Sequence, residues 1–482
     1  MVQFRRSKHF KRVLVITLVA INLSLISKPA FTSESKLSDC LLDASRKQLV
    51  SLGQPVAPER LAYKSKIRIG VLPFYFSDGA EKQLSDAEKY DYLDAAKLIS
   101  KLSNQKVSVE IVFLKSFNIG KPVSSLKQAY LDRDIGWSTG DTTKSTWGFV
   151  RNTIAAADSI TNFTNLDSVI LEGNNTDRSF YIAEAMGFFR GSEGNVFENA
   201  TNEFFKSIKT QDGYIDNAIL LDVHKGVGTI AHEILHNYGL TDLYGSGTGP
   251  AWLSMMAGGS GNLLNYEKAV LGWFPNSQFK CKNLTDFLSE NLMQNTFVID
   301  NIKQDFIFLL RKSEDRAYFA EVINTDNKSL LVVYLLEQHL RPPIKVFYDP
   351  NASYAKVYDL SDSSSISAIY NTLDFDLLIT NVNENTATLN FIPINLTNSS
   401  EAKSLYQQSM VNKAAAEKAR TEAAEKARAE AAEKSRAETE AAVAVKPKAK
   451  ISNKVTIVCV KGKLIKKVTS TNPKCPAGFK RK

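Results

Sequence analysis

Long apolar runs are nearly absent from this chain. The clearest one, Val13 to Ile26, is too short to span a bilayer comfortably, and beyond residue 32 nothing reads as a membrane segment. Cysteine is equally sparse, with four in 482 residues: Cys40, Cys281, Cys459 and Cys475. Histidine numbers five, so two of them at a metal-binding spacing are a rare accident. Acid is missing from both ends, since residues 1–32 hold six Lys/Arg and residues 446–482 hold twelve, neither with an Asp or Glu. The net charge of +9 therefore hides a middle of about −9, an acidic body with a basic tail.

What is present begins with a targeting pattern. Arg5, Arg6, Lys8, Lys11 and Arg12 precede the apolar Val13 to Ile26, so Met1 to Thr32 reads as a signal peptide. Cleavage after Thr32 leaves Ala30 three residues before the cut; an uncleaved anchor is the alternative. Export implies a secreted or cell-envelope protein, in which an even number of cysteines favours disulfides over metal ligation. Cys459 and Cys475 lie close together in one small module and are expected to pair, leaving Cys40 for Cys281. A sharper alternative has Cys40, or neighbouring Asp39, occupying a metal in a latent form.

The densest chemistry lies in Thr229 to Tyr244, T-I-A-H-E-I-L-H-N-Y-G-L-T-D-L-Y. His232 and His236 are four apart, one turn of a helix, so their imidazoles can meet one ion. Glu233 between them is placed to take a proton from water rather than to ligate. Gly239 permits a left-handed exit, and the returning chain presents Asp242 to the same ion. Two nitrogens and one carboxylate leave a fourth position open, as a catalytic zinc requires. Upstream, Ala218 to Val223 reads as a strand, followed by the glycine loop Lys225 to Gly228. The alternative is an ordinary buried helix whose histidines pair with carboxylates. Tyr244 and Tyr266 are candidates to stabilise an oxyanion. Glu267 could replace Asp242 as third ligand, and His224 is a further conceivable ligand. No residue pattern specifies calcium.

These residues resemble a family. The H-E-x-x-H-x-x-G-L-x-D-L-Y stretch, then Trp252 to Gly259 (W-L-S-M-M-A-G-G), then Tyr266-Glu267-Lys268 and Leu271-Gly272-Trp273, are similar to the immune inhibitor A family of secreted bacterial metallopeptidases, which are metzincin-like zincins. The resemblance implies a Met-turn beneath the metal, with Met256 its methionine and Met255 the near alternative. It also implies the strands Tyr318 to Val322 and Leu330 to Tyr334 after the catalytic domain. It covers about residues 66–345 and leaves substrate preference open.

The expected fold class is α+β: a zincin-like catalytic domain with a mixed sheet and active-site helix over residues 66–280, after an N-terminal segment, 33–65. Strands are expected at Ile67 to Phe76, Val107 to Leu114 and Asp167 to Leu171, and helices at Asp86 to Leu102 and Ser145 to Asn162. Ser179 to Met186 could be the edge strand that receives an extended peptide, or equally a plain core strand or helix. Gly245 to Pro250 forms a loop that shapes access. Residues 281–400, with runs such as Phe306 to Leu310 and Ala387 to Ile392, read as a β-sandwich-like domain.

Residues 401–445 form a helical linker of eight-residue Ala/Glu/Lys/Arg repeats, with Glu422 to Lys426 and Glu430 to Lys434 at i, i+4 spacing. Eight residues advance roughly 80° past two full turns, so no seam for a coiled coil forms and a solvated single helix is expected. Lys446-Pro447-Lys448 ends it. The basic tail, 446–482, reads as a small hairpin around Lys461-Gly462-Lys463, suited to an anionic envelope polymer. Phe479 alone offers base stacking, which argues against nucleic acid. The function these features predict is a zinc endopeptidase acting on protein or peptide substrates. The rival is a non-catalytic envelope-binding protein with a vestigial protease domain, which has no reason to keep Glu233.

Overall fold

The run K-I-R-I-G-V-L-P-F-Y is apolar enough to be buried on both faces, and in the computed structural model it forms an inner strand, β1, Lys66–Tyr75. The structure describes residues 37–44, 50–139, 141, 144–188, 205–244, 253–258, 261–289, 291–325, 328–338, 344–345, 357–360, 369–372, 374–380, 382, 385–444 and 453–482. The signal segment, the loop 245–250, Trp252, Gly259, His339 and residues 446–448 lie outside them.

After β1 comes helix α1, Asp86–Leu102, opened by a capping box in which Ser85 and Glu88 satisfy each other's backbone N–H groups. Strand β2, Ser108–Phe113, helix α2, Ser145–Ala157, and strands β3, Ser168–Glu172, β4, Ala183–Gly187, and β5, Asn217–Leu221, follow. The sheet runs β2-β1-β3-β5-β4, parallel except for β4, which pairs antiparallel with β5 at one edge. Ala183 and Ala185 face one core with α1 and helix α3, Val227–Tyr238. The other face covers α2. The mixed sheet and edge strand match expectation, although the strand begins four residues later than Ser179, those residues being loop.

Helix α4, Asn265–Val270, leads to a second sheet of β6, Phe279–Asn283, β8, Phe306–Ser313, β9, Arg316–Thr325, and β10, Lys328–Glu337. A third sheet holds β7, Thr296–Ile299, β11, Phe375–Thr380, and β12, Ala387–Pro393. Alternate side chains of β8 to β10 point both ways: Phe308, Tyr318 and Val333 toward β11 and β12, and Leu309, Phe319 and Tyr334 into the same core as the α3 helix. The β-rich layer is thus a sandwich whose outer face is also buried, and the expected boundary at residue 281 falls inside β6. The described residues up to Ala414 form one compact unit and Ala415–Lys482 another.

Helix α5, Ser400–Ala444, lies within one residue of the expected 401–445, but its first turns are not linker. Ala402, with Leu405 and Tyr406, packs on Leu292, Leu378 and Ile392. Further on its described side chains are exposed, and Lys418–Glu422 and Lys426–Glu430 are i, i+4 pairs that approach to 3.9 Å. In the second unit β13, Val455–Lys461, and β14, Leu464–Ser470, make the expected hairpin, closed by Cys459–Cys475. Cys40 is bonded to Cys281, which joins the N-terminal segment to β6. This overturns the idea of a Cys40 latch on a metal, because its sulfur is committed and buried. Among the described residues no helix is long and apolar enough to cross a membrane, and both disulfides suit an oxidising compartment.

Candidate metal centre

The apolar spacing of T-I-A-H-E-I-L-H-N-Y buries one side of α3 against the sheet and leaves His232 and His236 on the side that faces a cleft. Gly239 ends the helix at φ 107°, and a Cβ there would come within 2.6 Å of Val56, so glycine is required twice over. The reversal brings Asp242 back, and a hydrogen bond from Leu243 N–H to the Met256 carbonyl, 2.9 Å, fixes the returning segment.

Three atoms meet there. His232 Nε2 and His236 Nε2 are 3.1 Å apart, and Asp242 Oδ1 is 3.2 Å from each. The tautomers follow from the far side of each ring. His232 Nδ1 lies 2.9 Å from the Met255 carbonyl and His236 Nδ1 2.8 Å from the Leu240 carbonyl. A carbonyl only accepts, so each Nδ1 carries hydrogen and each Nε2 lone pair points at the shared space. Lone pairs so close repel unless a cation lies between them. Zinc with donors at about 2.0–2.1 Å holds them roughly 3.3 Å apart in a tetrahedron, so the triad fits that ion. Without an ion a proton takes its place: burial pulls His236 down, but its hydrogen bond to Asp242 and the charges of Glu233 and Asp242 raise it to about 9. Asp242, despite burial, is held well below the usual carboxylate range by its hydrogen bonds to both histidines.

Glu233 stands apart from the triad. It is buried, and burial raises its carboxyl against the lowering effect of the two histidines; the backbone of Ala185 on β4 hydrogen-bonds to it. Together with Tyr181, Glu184, Arg60 and Tyr244 these groups line a cleft of about 850 Å³. Tyr244 stacks on the His232 ring at 5.4 Å, with its hydroxyl 3.3 Å from Nε2.

The other sequence candidates separate clearly. Met255 and Met256 form a buried turn, Met255–Ala257, under His232; Met255 lines the cleft and its carbonyl holds the imidazole. Tyr266 is not an oxyanion donor, because its hydroxyl is fully buried and accepts from Leu42 N–H at 2.9 Å. Glu267 is no ligand either: it is buried away from the triad and accepts from the Ser254 hydroxyl and Leu264 N–H. Burial raises Glu267 to about 8.

His224 belongs to a second cluster with Glu88 and Glu172. There Lys82 Nζ already sits 2.6 Å from Glu88 and 2.7 Å from Glu172, Tyr92 donates to Glu172, and His224 reaches Asp91 at 2.9 Å. That cluster carries its own cation and closes the sheet end.

Residues that motif reading did not reveal are Arg60, Glu184 and the carbonyls of Met255 and Leu240. Only Glu184 left a sequence signal, an acid among small and apolar residues in A-E-A-M-G. Compared with known proteins, the chain matches no family model and has no significant match among curated sequences.

Proposed function

We propose that the chain is a secreted zinc-dependent endopeptidase of the zincin type, related to the immune inhibitor A family. The supporting observation is the convergence of His232 Nε2, His236 Nε2 and Asp242 Oδ1 within 3.2 Å, beside a buried carboxylate that joins none of them. His232, His236 and Asp242 would hold the ion, which would supply Lewis acidity, lowering the pKa of a water to about 7 and polarising the scissile carbonyl.

The chain's own groups do the rest. The Met255 and Leu240 carbonyls fix the imidazole tautomers. Glu233 takes the proton of the attacking water and delivers it to the leaving amine. The Tyr244 hydroxyl, 3.3 Å from His232 Nε2, lies where it can donate to the oxygen that becomes negative. Among the described strands β4 pairs on one side only, so its free backbone groups align an extended peptide along the cleft.

The basic tail, with no acid among residues 453–482, serves as an anchor to an anionic envelope polymer. Export through the N-terminal signal accounts for the two disulfides. Digestion of casein or a peptide library tests the reading: wild type cleaves, and Glu233→Ala or chelator-treated protein does not. Cleavage that survives both overturns it.

A further inference from the structure

Glu184 is the only acid on β4, and its neighbours explain why it stays in place. Ala183 and Ala185 face the α3 core, so Glu184 points to the opposite side of the strand, toward α2. Thr146 Oγ1 donates to it at 2.6 Å and Trp147 Nε1 at 3.0 Å, both from the first turn of that thirteen-residue helix, where the backbone also favours an anion. The indole is locked edge-on against Phe188 and Phe205, at 5.3 and 5.1 Å. All of this is rigid, and all of it is neutral. Among the described residues no cation pairs with Glu184; Arg133 acts on it only through space.

A carboxylate offers about four acceptor positions, and two donors use two of them. The group lines the same cleft as Glu233 and the triad, one residue from the Ala185 backbone that contacts Glu233. A partly desolvated acid with no cation paired to it among the described residues favours the arrival of a positive group. An extended peptide along β4 turns every second side chain toward this face.

We propose that Glu184 forms a subsite for a cationic group of the substrate, an ammonium or guanidinium, beside the reacting centre. This rests on the peptidase reading above. The cation has two sources: a Lys or Arg side chain near the scissile bond, or the free amino terminus of the peptide.

Two measurements on the full chain with metal test it. Hydrolysis of a neutral, N-acetylated peptide series by wild type tests the peptidase reading alone. Binding is then measured by tryptophan fluorescence on the Glu233→Gln background, with and without Glu184→Gln. The probes are matched peptides carrying Lys, Arg or norleucine at each position, with the N-terminus free or acetylated. We expect cationic peptides to bind about tenfold to a hundredfold more tightly than norleucine peptides, and Glu184→Gln to bring that ratio close to one. A dependence on Lys or Arg identifies the side-chain source, and a dependence on the free amine identifies the terminal one. Equal binding of cationic and neutral peptides, or a preference that survives Glu184→Gln in a folded protein, overturns the proposal. Binding results stand even if no peptide is hydrolysed, so the two claims fail separately.

Discussion

The described residues contain two clusters of histidine and carboxylate with nearly the same inventory and opposite character. At His232, His236 and Asp242 three acceptors face one point that no side-chain cation occupies, leaving it to a proton or a metal ion, and the space opens to a cleft. At Glu88, Glu172 and His224 the equivalent space is filled by Lys82, with its ammonium on two carboxylates. The first arrangement needs a proton or a metal ion at its centre; the second is complete. Charge balance, more than residue type, separates a metal centre from a structural ion cluster.

Breaking each cluster should give different failures. The largest effect is expected from His236→Ala or Asp242→Ala, which remove bound metal and reduce peptide hydrolysis to background, as read by elemental analysis and a peptide assay. Glu233→Gln should lower turnover by about a hundredfold to ten-thousandfold while leaving metal content unchanged. Lys82→Met should do the reverse: metal stays, but buried Glu172 loses its ammonium and keeps only Tyr92 and His224, and unfolding in denaturant should show a loss of about 3–5 kcal/mol.

A smaller effect sharpens the contrast from a third place. Glu267 and Glu321 are buried carboxyls raised by burial to about 8 and about 7. Each keeps its proton longer in the folded state than in the unfolded one, so its contribution to stability is full below about pH 4.5 and is lost as pH rises through 7 to 8. Stability should therefore fall between pH 5 and 8 by up to about 6 kcal/mol, less to the extent that the two carboxyls titrate together. Glu267→Gln should flatten part of that slope in pH-dependent unfolding curves, with metal content unchanged.

How much of this was legible in the sequence follows from the distance over which each feature is built. The triad spans eleven residues of one helix and one turn, so spacing and the Gly239 exit suffice to assemble it. The groups that orient it are backbone carbonyls, and a carbonyl has no sequence signature; Met255 supplies one only because the chain returns beneath α3. Tyr266 and Tyr244 looked equivalent as nearby aromatics. The fold separates them by pairing one with Leu42, 224 residues away, and stacking the other on His232. The second sheet was legible as strands, but not as a layer buried on both sides. Its outer face is covered by residues before the expected boundary, and periodicity does not report what covers a face. Docking of the first turns of α5 was hidden likewise, because the Ala/Glu/Lys repeats dominate that helix's composition.

Elemental analysis of the purified wild type alongside Asp242→Ala and Lys82→Met asks the decisive question in one experiment. The account predicts one equivalent of zinc in wild type and Lys82→Met, and none in Asp242→Ala. Zinc that persists without Asp242, or that disappears when Lys82 is replaced in a folded protein, would contradict it.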